Sequence, residues 1–94
     1  MPFSGTRQDV SNVVLAVIRG IENGRNITIV EATVFGQDLV VDQLARRGYA
    51  SPILIRFREA FPESSLSRFG PDTCANAGRV RDIVNAIWDE VKPV

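Results

Sequence analysis

The amino-acid sequence predicts an all-α fold, a small three- to four-helix bundle with a long first loop. Two stretches, one near each end, repeat their apolar residues at helical spacing. Between them a serine–proline pair opens a further apolar-faced run, and no segment alternates cleanly enough to supply a strand with a partner. With 94 residues, about 45% of them hydrophobic, the chain makes one domain with a single modest core.

The elements follow in order. Met1 to Gly5 read as a loose end. Thr6 with Asp9 three residues on is an approximate capping box. Val10, Val13, Val14, Val17, Ile18 and Ile21 then mark one face of a helix from Arg7 to Asn23, which Asn23-Gly24 stops. The β-branched residues lower its intrinsic propensity, so packing must hold it. Residues 25–42 form a long connection. Ile27, Ile29, Val30, Val34 and Phe35 are too apolar for a solvated linker, so a packed loop is expected. A strand over Asn26–Val34 is the alternative for this β-branched run.

Gly36 allows an unusual backbone angle, Asp38 and Asp42 suit turn and helix caps, and Leu39 and Val41 plug into the core. Gln43 to Arg47 is a helix-forming run that Gly48 stops. Ser51 as cap with Pro52 at the first helical position starts the next helix. Its buried face is Ile53, Leu54, Phe57 and Phe61, with Arg56, Arg58 and Glu59 facing out and Pro62 ending it. Leu66 and Phe69 plug the following loop, with one helical turn over Ser64–Phe69. Asn76 caps the last helix, whose face is Val80, Ile83, Val84, Ile87, Trp88 and Val91. Trp88 is expected to pack on the first helix or the long loop.

Composition narrows the function classes. Basic and acidic residues balance at 11 each, whereas nonspecific nucleic-acid binding needs a basic surplus. The single Cys74 excludes an internal disulfide and a cysteine-built metal site, and histidine is absent. Nucleophilic catalysis wants a base beside Ser or Cys, so no enzyme is expected and no catalytic residue is assigned. Cys74, set in a polar stretch, is read as incidental. Asp38 and Asp42 offer too few ligands for a dedicated cation site. The longest apolar run, Val13 to Ile18, is too short for a bilayer, and no signal pattern opens the chain; a cytoplasmic monomer without nucleic-acid or membrane partners is expected.

The stretch Phe35-Gly36-Gln37-Asp38-Leu39-Val40-Val41-Asp42-Gln43-Leu44 resembles the approach to the active serine of acyl carrier proteins, F-G-x-D-L-x-x-D-S-L. The segment from Gly78 to Ile87 is similar, more weakly, to that family's last-helix pattern. The resemblance runs from about Arg7 to Val91. It implies the acyl-carrier bundle, with a long first loop and a small third helix. It also implies a role in fatty acid or polyketide biosynthesis, with a 4'-phosphopantetheine arm on the serine.

The sequence departs from that pattern in three ways. Gln43 stands where the serine should be, and an amide cannot be esterified. Asp42 to Phe61 is longer than in the family by about one helical turn. An ungapped alignment from Phe61 sets Arg47 at the serine position, and matching the helix starts sets Ser51 there. Carrier proteins are acidic in their second helix, whereas here Arg46, Arg47, Arg56 and Arg58 precede or lie on it.

Three readings follow. The first is a carrier-like domain without the arm, binding a protein partner noncovalently through Asp42, Gln43, Arg46, Arg47, Arg56 and Arg58, with no cofactor. The second is a divergent carrier loaded with 4'-phosphopantetheine at Ser51. The third is an unrelated helical bundle that binds protein or oligomerises.

Overall fold

The computed structural model describes residues 3–93 and is an all-α bundle. Three principal helices, α1 (Arg7–Ile21), α3 (Ala50–Ala60) and α5 (Val80–Val91), are joined by two short ones, α2 (Gln43–Arg47) and α4 (Pro71–Asn76). Among the described residues there is no strand. The run 26–34 is loop, with one isolated bridge from Val34 to Arg79.

Helix α1 begins as its capping box dictates. Thr6 Oγ1 accepts from the Asp9 amide at 3.2 Å, and Asp9 Oδ2 accepts from the Thr6 amide at 2.7 Å. Its face of Val10, Val14 and Ile18 is fully buried against Ile83, Val84 and Ile87 of α5 and Ile53 and Phe57 of α3. Burying each such side chain stabilises the fold by about 1.5–3 kcal/mol, which offsets the weak propensity of a valine-rich helix. The helix ends two residues before Asn23, and Gly24 takes φ 104°, open to glycine.

The long loop supplies α5 with its N-terminal cap. A helix start leaves amides without partners. Here the Val80 amide donates to Thr33 O at 3.1 Å and the Arg81 amide to Glu31 O at 2.9 Å. Phe35 N donates to Gly78 O at 2.9 Å, completing the seam. Asn76, expected as this cap, is instead the last residue of α4; Arg79 holds the cap position, and Asp82 Oδ2 reaches back from the first turn to accept from Arg79 N at 2.9 Å and Gly78 N at 3.0 Å. Ile29, Phe35, Leu39 and Val41 enter the core, whereas Ile27 and Val30, expected inside, are exposed.

Several other expectations are corrected. The chain start is not loose at Phe3, which is buried and packs on Phe57, Phe61 and Trp88 with ring centroids 5.8, 4.7 and 6.2 Å away. Met1 and Pro2 lie outside the described residues. Trp88 thus meets Phe3 edge-on. The turn expected over Ser64–Phe69 is absent, and the extra helix is α4, with Pro71 at its first position. Cys74 lies on that helix and is fully buried, so it is a core residue and not part of a polar loop.

Candidate functional site

The junction between the long loop and α2 is a rigid, solvent-facing turn. Gly36 takes φ 85°, a left-handed angle that side-chain-bearing residues resist, and its amide donates to Leu39 O at 2.9 Å. Asp38 Oδ2 accepts from Val34 N at 3.0 Å, and Asp38 N donates to Val34 O at 2.8 Å. The chain then runs extended. Leu39 and Val41 point inward, so Val40 between them points out and is 68% exposed. Asp42 caps α2, its Oδ1 accepting from Ala45 N at 2.8 Å. Gln43 follows as the first helical residue, exposed, and Leu44 is 79% exposed. Two apolar side chains therefore flank Asp42 and Gln43 in solvent.

Arg46 holds this junction from beneath. Its guanidinium donates through Nη1 to Val41 O and through Nη2 to Ala75 O at 2.8 Å, and it lies over the Phe35 ring at 5.2 Å. One side chain thus binds the loop end, α4 and the turn at Phe35. Arg47 pairs with Asp72 of α4 at 2.6 Å.

The four arginines expected as one docking patch are consequently dispersed. Arg46 is an internal strut and Arg47 is in an ion pair. Arg56 and Arg58 are both exposed on α3, but two positions on a helix turn the side chain by about 200°. The residues that flank the site, Val40 and Leu44, lie in the motif read from the sequence but were given no binding role there. The in–out–in alternation of Leu39, Val40 and Val41 was the signal for the first; Leu44 had none, since α2 buries no residue.

Ser51 is not a cap. The backbone stays right-handed helical through Gly48 (φ −68°, ψ −12°) and Tyr49 (φ −72°, ψ −25°), and α3 begins at Ala50. Residues 43–60 therefore form a nearly continuous helical run. Pro52 is the third residue of α3, in the first turn, where a helix has no bonded amide to lose, so proline is accommodated there. Ser51 sits exposed at the second position of α3, and no hydrogen bond of its hydroxyl is found among the described residues.

Two carboxylates pin the surroundings. Glu31 accepts from Arg7 at 2.7 and 3.1 Å and from Ser11 Oγ at 2.6 Å, fastening the loop to α1. The Arg7 bonds hold its pKa below the ordinary 4.5 despite burial. Glu90 accepts from the amides of Ser67, Arg68 and Phe69 at 2.8, 3.0 and 2.7 Å, fastening the loop before α4 to α5. Burial would raise the Glu90 pKa, but these backbone bonds outweigh it and lower it. Tyr49 donates to Glu22 Oε2 at 2.8 Å, and burial together with that bond pushes its phenol well above 10. Burial pushes the Cys74 thiol up to about 12, which leaves it a poor nucleophile.

Among the described residues no three of His, Cys, Asp and Glu converge on a cation-sized site, and no helix is long and apolar enough to cross a membrane. Comparison with known protein families, characterised proteins and solved structures found no match.

Proposed function

We propose that the chain is a carrier-like helical domain that works as a noncovalent interaction module, docking a protein partner through the junction of the long loop and α2. The observation that carries this reading is the pair Val40 and Leu44, 68% and 79% exposed, around Asp42 and Gln43 on a turn held by Arg46. A rigid turn carrying exposed apolar anchors loses little entropy on binding, and such anchors are what a partner pocket takes up. Gln43 occupies the helix start where the resemblance to acyl carrier proteins expects the arm-bearing serine. An amide there offers hydrogen bonds and no attachment point.

The test is a photo-crosslinking residue placed at Leu44 in the native host, with the same residue at exposed Gln8 of α1 as control. A discrete adduct from position 44 alone, lost on Val40→Asp, is the expected outcome. Equal labelling from both positions would remove the reading.

One observation favours a second reading, the divergent carrier loaded at Ser51. That hydroxyl is exposed and is not used as a cap. A phosphopantetheine arm on Ser51 would emerge from the start of α3, beyond α2 and the Val40–Leu44 surface.

A further inference from the structure

On a different face, α1 and α3 leave an open groove of about 380 Å³ between Val17, Gly20 and Ile21 on one side and Pro52, Ile55, Arg56 and Glu59 on the other. Its walls are apolar where a monomer would favour polar groups. Ile21 is 47% and Ile55 57% exposed. Gly20 leaves open space where a side chain would stand. The charges at its edge are of opposite sign and one helical turn apart. Arg56 and Glu59 are both exposed, and neither belongs to an ion pair among the described residues.

We infer that this groove is closed by a second copy of the same chain, in a twofold dimer with the α3 helices antiparallel. A patch that carries one unpaired positive and one unpaired negative charge beside an apolar strip is complementary to itself. An isologous interface repeats every contact, so residue i of one copy meets residue j of the other and the reverse. With the axis between residues 56 and 59, each Arg56 faces the other copy's Glu59, and the two apolar strips come together. A uniformly acidic partner would meet Glu59 and a uniformly basic one Arg56, so neither fits as well as the chain itself. The docking turn at Val40 and Leu44 lies outside these contacts, so the dimer is independent of the function proposed above and would present two such turns.

The test is sedimentation equilibrium on the full chain and on two charge reversals, Arg56→Glu and Glu59→Arg. Both positions are surface sites, where substitutions leave stability nearly unchanged, and circular dichroism checks this. Wild type is expected to dimerise. Each reversal alone sets like charges against each other twice per dimer and weakens dimerisation about tenfold or more. An equimolar mixture of the two variants restores the dimer. The carboxylate introduced by Arg56→Glu in one chain then meets the guanidinium introduced by Glu59→Arg in the other, and the unchanged Glu59 and Arg56 meet as in wild type. Ile55→Asp abolishes dimerisation without rescue. A wild-type chain that stays monomeric up to about 1 mM overturns the inference, since association that weak is below what a specific interface supplies. Dimers of undiminished affinity in both reversals, or variants that fail to rescue each other, overturn it equally.

Discussion

Replacing Arg46 with alanine removes the strut that fixes the loop–α2 junction, and the cost can be built from its contacts. Two charge-assisted hydrogen bonds, to the Val41 and Ala75 carbonyls, contribute roughly 1.5 kcal/mol each, and the carbonyls they serve would be left without partners. The contact over the Phe35 ring adds roughly 0.5 kcal/mol. Against this, Arg46 Nε is buried without a hydrogen-bond partner among the described residues, a penalty of roughly 1 kcal/mol that alanine would relieve. The net loss is about 2.5 kcal/mol, which for a domain of this size lowers Tm by about 10 °C or more. The assay is thermal unfolding by circular dichroism, with amide exchange of residues 39–42 as the local readout. Arg46→Lys recovers no more than half the loss. Its ammonium is a point charge that cannot span two carbonyls while stacking on a ring. A Tm drop below about 3 °C for alanine, or full recovery by lysine, refutes the strut.

Other substitutions probe the rest of the frame. Phe3→Ala leaves a cavity among Phe57, Phe61 and Trp88 and should cost about 3 kcal/mol in urea unfolding, whereas a truly loose end would show no change. Glu31 and Glu90 both have folded pKa values below the ordinary 4.5, so their stabilisation is present above that pH and fades as pH falls through the lowered values. Acid titration of Tm should therefore show a falling limb below about pH 4.5 that is shallower in Glu31→Gln, and identical limbs would count against the clamp. Native Cys74, buried with a thiol pushed up to about 12, should resist a disulfide reagent at pH 8 and react promptly once the protein is unfolded.

The principal helices were legible in the sequence because their signals are local and periodic. Val10 to Ile21 and Val80 to Val91 place their apolar residues on one face, and the structure buries most of that face, with Val17, Trp88 and Val91 at its margin and Ile21 exposed. Ser51-Pro52 misled for a physical reason. A serine–proline pair marks a helix start, but proline is tolerated throughout the first turn, so the pair does not fix which residue is the cap. The choice is made by the right-handed backbone at Gly48 and Tyr49, which no residue identity dictates.

The short α4 was displaced in the reading because the serine- and proline-rich stretch before it is uniformly turn-like. The usable sign was Gly70-Pro71 with Thr73, whose Oγ1 accepts from the Gly70 amide at 3.2 Å. The role of Arg46 was beyond reach. Its partner Ala75 lies 29 residues away, and an arginine beside another arginine reads as a solvated face. The same holds for Glu31 with Arg7.

The central claim is that the chain works by noncovalent docking and carries no arm. Intact mass after incubation with coenzyme A and a promiscuous phosphopantetheinyl transferase tests it most directly, with Ser51→Ala as control and folding checked by circular dichroism. An unchanged mass in the folded protein is the predicted result. A gain of one phosphopantetheine arm that disappears in Ser51→Ala would contradict it and establish a carrier with a displaced serine.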